Sequence, residues 1–207
     1  MIRYWIADLH LGHAKAAELR GFASVREHDT HILSQLARLD EWDTLWVLGD
    51  VTGGKSTQDE DEALALLRQL VSARMHLIPG NHDSASATHR GAENEQARWL
   101  ETFASVQQFA RVRLHRQNVL MSHYPYARSG DGPGRPGSRY NEYRLPDEGM
   151  LLIHGHTHQS EPHMPAPDLP QDLGIEDKTQ YCVSWDVHRG LVTEHMLNEW
   201  IKGVAAE

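Results

Sequence analysis

The sequence predicts an α/β fold with mixed sheets, and three observations carry that expectation. Short apolar stretches alternate with amphipathic helical segments in the first half of the chain, and strand-like stretches then follow one another in hairpin-like succession. Several of the apolar stretches stop abruptly at a carboxylate, an amide or an imidazole. At 207 residues the chain is long enough for one substantial core, so a single domain over residues 1–207 is expected.

Residues 2–7 are apolar and aromatic, which suits a buried strand ending at Asp8. Ser24 with Glu27 three positions later is a capping-box pattern. Ile32, Leu33, Leu36 and Leu39 then share one face, predicting a helix of about four turns. The run Leu45, Trp46, Val47 and Leu48 fits a strand covered on both faces, and it stops at Gly49-Asp50. Thr57 and Glu60 form a second capping box ahead of Ala63, Leu64, Leu66, Leu67 and Leu70, a second helix. Asp59, Glu60, Asp61 and Glu62 occupy its first turn, where the helix dipole favours negative charge, and are read as dipole complements, not as a cation site.

Residues 75–78 predict a third strand, broken by Pro79-Gly80. Val112 and Leu114 alternate with Arg111 and Arg113, and residues 119–121 follow a polar break, predicting an antiparallel pair that leads into His123. Residues 151–153 form a further strand that opens into His154, Gly155, His156 and His158. Residues 181–187 alternate as one more strand, and residues 193–201 close as a helix. Residues 124–149 and 159–178 are irregular, and segments of that length in a compact domain are functional lids or mobile linkers.

Composition narrows the function. The chain carries 15 histidines, and imidazole is the side chain that both ligates metals and moves protons near neutral pH. The formal net charge of −9 opposes binding of extended nucleic acid through a broad basic face, leaving a small phosphorylated substrate, a nucleotide among the options, as the expected partner. A single cysteine, Cys182, excludes an internal disulfide, and Met1 leads into a strand with no signal-peptide pattern, so a reducing, cytoplasmic setting is expected. No apolar run approaches the ~18 residues that cross a bilayer, so no membrane association is expected. Composition sets no oligomeric state.

Five strand ends deliver ligand-type residues: Asp8-Leu9-His10, Gly49-Asp50, Gly80-Asn81-His82-Asp83, His123, and Gly155-His156-Thr157-His158. In α/β sheets, ligands gather beyond the carboxyl ends of strands, where residues distant in sequence converge. Positions i and i+2 of an extended segment point the same way, so Asp8 with His10, and His156 with His158, each offer two ligands to one place. The candidate ligands are therefore Asp8, His10, Asp50, Asn81, His123, His156 and His158. Mixed imidazole, carboxylate and amide donors suit Mn²⁺, Fe, Zn²⁺, Ni²⁺ or Co²⁺ better than Ca²⁺ or Mg²⁺. Two such ions about 3.5–4 Å apart need a bridging carboxylate, for which Asp50 is the candidate.

The ordered series D-x-H, G-D, G-N-H-D, H and G-H-x-H resembles the calcineurin-like metallophosphoesterase superfamily. Asp8-Leu9-His10-Leu11-Gly12-His13 and Ile78-Pro79-Gly80-Asn81-His82-Asp83 resemble its small bacterial and bacteriophage branch. The resemblance covers residues 4–158 and implies two facing mixed sheets flanked by helices, a four-layer αββα sandwich. It implies a first metal, Mn²⁺ above the others, held by Asp8, His10, Asp50 and His158, and a second held by Asp50, Asn81, His123 and His156. It implies in-line attack on phosphorus by a metal-bridging hydroxide, with His82 protonating the leaving oxygen or steadying the transition state. Asp83, its neighbour in the chain, is the candidate for orienting the His82 ring. The phosphoprotein-phosphatase and dinucleotide tetraphosphatase branches resemble each other in an arginine soon after G-D and in G-N-H-E. Here Gly49-Asp50 runs into Val51-Thr52-Gly53-Gly54 and the fourth motif ends in Asp83, which shifts the expected substrate to small or terminal phosphodiesters, cyclic nucleotides included.

The other notable residues have ordinary readings. His13 and His154 flank motifs and are read as packing or supporting residues. Trp5, Trp42, Trp46, Trp99, Trp185 and Trp200 fall in apolar patterns and are read as core. At least one of Arg128, Arg135, Arg139 and Arg144 is a candidate phosphate clamp, because guanidinium offers a bidentate fork to phosphate oxygens. The rivals to a phosphodiesterase are a phosphomonoesterase using the same site, a nuclease, and a metal-stabilised binding protein without catalysis. The complete ligand set argues against the last.

Overall fold

The structure is a computed structural model that describes residues 1–53, 56–132, 137–165 and 176–206. Two four-stranded mixed sheets form its framework. In the first, β1 (Arg3–Ile6), β2 (Thr44–Val47) and β3 (Arg74–Leu77) run parallel, and β10 (Val192–Thr193) pairs antiparallel with β1, giving the order β10-β1-β2-β3. In the second, β4 (Phe109–Leu114) is antiparallel to β5 (Gln117–Ser122), while β6 (Leu151–His154) and β9 (Gln180–Cys182) continue in parallel, in the order β4-β5-β6-β9. The α/β class with two facing mixed sheets flanked by helices is as expected.

The core has two parts because β2 lies between β1 and β3 and is covered on both faces. On one side Ile6, Leu45, Val47 and Leu77 pack against Ile32, Leu33 and Leu36 of α2 (Val25–Leu36) and Leu64 and Leu67 of α3 (Thr57–Leu70). On the other side Trp5, Ala7, Leu48 and Ile78 meet Val112, Val119, Met121 and Ile153 of the second sheet, together with Leu197 and Ile201 of α6 (Glu194–Ala205). Each of these buried aliphatic side chains contributes about 1.5–3 kcal/mol of burial free energy.

The caps explain where the helices begin. Ser24 Oγ accepts the Glu27 N–H at 3.1 Å, and the Glu27 carboxylate reaches back to the Ala23 N–H at 2.9 Å. The cap of α3 is Ser56, whose hydroxyl accepts from the Asp59 N–H, one residue before the expected Thr57. Two helices lie where no helix was expected, α1 (Ala14–Leu19) and α4 (Ala92–Leu100). The first is six residues long, and the second buries only Ala92 and Trp99, so neither carries a recurring apolar stripe.

The expected strand over residues 181–187 is instead β9 followed by a one-turn helix, α5 (Trp185–His188), which Ser184 caps through the Asp186 N–H. Its alternation misleads because Val183 and Trp185 are buried in different parts of the core. Ala7 and Ser184 form a parallel bridge that joins the end of β1 to this segment. Of the two irregular segments, the first contains a 3-10 turn at Asn141–Tyr143 and the second a short antiparallel pair, β7 (Met164–Pro165) with β8 (Glu176–Asp177). Trp42 departs from the expected core role: it is 66% exposed in the turn before β2, while Trp5, Trp99 and Trp185 are fully enclosed.

Candidate metal centre

Six parallel strands, three from each sheet, end at one place. Asp8 follows β1, Asp50 follows β2, Asn81 follows β3, His123 follows β5, His156 and His158 follow β6, and Asp186 follows β9. All seven expected ligands are brought together there. Asp8, His10, Asp50 and His158 bring their donor atoms within 4.8 Å of one another, as do Asp50, His123 and His156, and Asp50 belongs to both sets. The first is the quartet expected for one metal. The second, with Asn81 beside it, is the set expected for the other.

Convergence is achieved by a device that the residue pattern does not announce. Asp8, His10, Asp50, His156 and His158 all have positive φ, between 48° and 71°, and they are five of the ten non-glycine residues in that region among the described residues. The i and i+2 pairs therefore do not aim together along an extended chain; left-handed turns swing each ligand inward. Side chains carrying a Cβ adopt this conformation at a cost of about 1–2 kcal/mol each, and such clusters persist where the surroundings over-determine them. Close backbone approach completes the turn. A Cβ on Gly80 would lie 2.6 Å from His123 Cε1 and 2.7 Å from the Asp50 nitrogen, so only glycine fits between these two ligands.

The ring nitrogens are sorted by their partners. His10 Nδ1 donates to the Thr52 carbonyl at 3.2 Å, His123 Nδ1 to the Leu48 carbonyl at 2.7 Å and His158 Nδ1 to the Asp186 carboxylate at 2.6 Å. Each ring thereby turns a bare Nε2 inward. His10 Nε2 and His158 Nε2 face each other at 3.1 Å. Two bare lone pairs at that separation repel unless a proton or cation lies between them. A single ion bound by both nitrogens at about 2.1 Å is compatible with this spacing, as is a shared proton. The other set is equally primed: Asn81 Oδ1, His123 Nε2 and His156 Nε2 are buried without a hydrogen-bond partner among the described residues. Buried polar atoms are otherwise almost always paired, and this donor chemistry fits a second ion of transition type.

The electrostatics agree. Burial pushes His10 and His156 well below the ordinary histidine range, keeping both rings neutral and able to ligate. Burial raises the Asp8 carboxyl, with His158 and His123 opposing, so that an added positive charge is what this carboxylate lacks. For Asp50 burial also pushes upward, but His123, His10, His82 and the His82 N–H together hold it low. His158 is raised despite burial, by Asp8 and by its bond to Asp186.

A cavity of about 470 Å³ opens on the centre, lined by His10, Asp50, Asn81, His82, His156 and His158 among others. His82 Nδ1 donates to the Gly53 carbonyl at 3.0 Å, which leaves Nε2 as the nitrogen available to a bound molecule. Asp83 does not orient that ring. Its fully buried carboxylate accepts the N–H groups of Asp50, Val51 and Gly80 at 2.8–2.9 Å and so pins the two ligand-bearing turns together. The ring has a carbonyl where a carboxylate was expected, because Asp83 is drawn inward by three donors.

Three supporting residues carry no signal in the sequence. Asp186 fixes His158 and is itself held by Arg20, whose guanidinium also donates to the Asp8 and Leu9 carbonyls. Burial would raise the Asp186 carboxyl, but the bonds from His158 and Arg20 more than offset it and hold it far below the usual carboxylate range. Glu60, read as a dipole complement, is only 3% exposed. It accepts from both the N–H and the hydroxyl of Ser84 at 2.8 Å, anchoring the end of the Asn81-His82-Asp83 turn to α3. His13 packs on the Gly53 backbone beside His82, and His154 is wholly buried.

This fold and centre define a class of metal-site proteins to which the sequence comparisons give a name. A family model described as the calcineurin-like phosphoesterase superfamily domain matches residues 1–166, and the chain belongs to that superfamily. Among its relatives are the Gene 66 proteins of two mycobacteriophages, which place it with the bacteriophage-type branch. The protein of phage D29 is 35% identical over 162 residues, covering 75% of this chain and 77% of the relative. That of phage L5 is 34% identical over 164 residues, covering 75% and 76%. Among solved structures, a protein of unknown function from Aquifex aeolicus, AQ665, shares the fold with a TM-score of 0.63, at 22% identity over 96% of this chain and 98% of that one.

Proposed function

We propose that the protein is a metal-dependent phosphodiesterase acting on small or terminal phosphodiesters, cyclic nucleotides among them, with Mn²⁺ as the preferred metal. The observation that carries the metal dependence is Asp50, common to two donor sets, in the second of which His123 Nε2 and His156 Nε2 are buried without a hydrogen-bond partner among the described residues. When bound, a pair of divalent ions lowers the pKa of a water molecule and neutralises charge on phosphoryl oxygens. Asp50 and Asp8 supply the negative charge that holds the ions, and the imidazoles fix their positions. His82, with Nδ1 committed to Gly53, presents Nε2 to the leaving oxygen and, when protonated, donates to it.

Preference for a diester is supported by the turn just beyond Asp50. The Thr52 and Gly53 carbonyls of that turn hold the rings of His10 and His82. Gly49-Asp50 runs there into Val51-Thr52-Gly53-Gly54 and the fourth motif ends in Asp83, where the phosphoprotein-phosphatase and dinucleotide tetraphosphatase branches have an arginine and G-N-H-E. The test is a paired assay of the Mn²⁺-loaded protein on bis-p-nitrophenyl phosphate and p-nitrophenyl phosphate. Faster cleavage of the diester is expected, and a preference for the monoester overturns the reading. Cleavage of single-stranded oligonucleotides that falls steeply with salt would point instead to a nuclease.

A further inference from the structure

Residues 126–132 and 137–145 surround a buried ion cluster. Asp131 is 1% exposed and is paired with both Arg144 and Arg139, and its Oδ1 lies 3.5 Å from His156 Nε2, the bare ligand atom of the second metal set. Arg144 is saturated: its guanidinium also donates to the Gly130 carbonyl at 2.7 Å and the Arg139 carbonyl at 3.0 Å, and its side chain has no exposed surface. Arg139 is held differently. Its N–H donates to Asp131 at 3.1 Å, its carbonyl accepts from Arg144 and its Nε is paired with Asp131. Its side chain is nonetheless 50% exposed and lines the cavity over the metal centre.

We infer that Arg139 is the guanidinium that grips the phosphoryl oxygens of the substrate, fixed in place by the buried Asp131–Arg144 pair. The inference rests on the phosphoester reading above and adds a specificity residue to it. Both Nη groups of Arg139 are without a hydrogen bond among the described residues, so a guanidinium edge remains for an anion. Backbone and Nε are fixed before any ligand arrives, which reduces the ordering cost of that contact. The cluster carries two cations against one carboxylate, so it brings net positive charge to the second metal's side of an otherwise acidic molecule. The other candidate arginines are set aside by position. Arg144 has no free edge, Arg128 does not line the cavity, and Arg135 lies outside the described residues.

The test is calorimetric titration of inorganic phosphate into the Mn²⁺-loaded protein, with metal content measured on the same samples, for wild type, Arg139→Gln, Arg139→Lys and Arg128→Gln. Arg139→Gln is expected to bind phosphate about tenfold more weakly at unchanged metal content, and Arg139→Lys to recover part of the loss. For diester cleavage the same change is expected to raise KM at least as much as it lowers kcat. Phosphate binding by Arg139→Gln equal to that of wild type overturns the inference. So does an equal loss in Arg128→Gln, which would make the effect one of diffuse charge, or a loss of metal in both Arg139 variants, which would make the residue structural. Phosphate binding that depends on Arg139 in a protein that cleaves no ester would sustain the clamp and overturn the phosphodiesterase reading alone.

Discussion

At the level of single residues, the proposed ligands and the proposed proton donor separate cleanly by experiment. Asp50→Ala removes the carboxylate common to both donor sets, so this variant is expected to take up neither ion, as measured by elemental analysis. His82→Ala leaves every donor in place, so metal content is expected to stay at the wild-type value while kcat falls by about 10²–10⁴. Asp186→Asn keeps the bulk but removes the carboxylate that holds His158 Nδ1, and is expected to weaken binding at the first set by about 10–100-fold in a chelator competition. Asp186 also shows where sequence reading reaches its limit. The ligands were legible because each stands in a short motif at a strand end. Asp186 stands 28 positions from the histidine it orients, in a stretch whose alternation looks like a strand, and nothing local distinguishes it from a solvated acid.

At the level of elements, the strands and the three long amphipathic helices, α2, α3 and α6, were legible because each buries one recurring face. α1, α4 and α5 were not, because a helix of six, nine or four residues with one or two buried positions leaves no periodicity to detect. The turns after the strands are the instructive case. Gly49-Asp50 and Gly155-His156-Thr157-His158 could be recognised as motifs, yet the left-handed backbone at Asp50, His156 and His158 is invisible in the residue types, since residues other than glycine are uncommon at positive φ. Gly80→Ala places a methyl against His123 and the Asp50 nitrogen, neither of which can retreat. The expected result is a loss of about 1–3 kcal/mol, read as a melting temperature lower by roughly 2–4 °C per kcal/mol, with metal lost first from the set containing His123.

At the level of the whole molecule, stability and pH are linked through buried imidazoles. Burial lowers His154 to about 4 from 6.5, with its hydrogen bond to the Gly155 carbonyl opposing. Its folded-state pKa is depressed, so the unfolded chain takes up a proton at this residue first as the solution is acidified. The contribution is therefore present above about 6.5 and is lost as pH falls toward about 4. Urea midpoints of the chelator-treated protein and of His154→Leu are expected to diverge across that interval, with wild type losing about 1–3 kcal/mol more. A constant difference between the two would show that His154 takes no part. Two facing sheets were legible only through the order of the motifs, because no single strand says which sheet it joins.

Asp50 also makes the two seats interdependent. An ion in either seat would share that carboxylate with the other, so binding at one would change the affinity at the other by the same factor in both directions. The donor set with Asp8 has two carboxylates and the other only Asp50, so the former is expected to hold its ion more tightly. Supplying one kind of ion and then another would then yield a heterometallic protein whose composition records the order of addition.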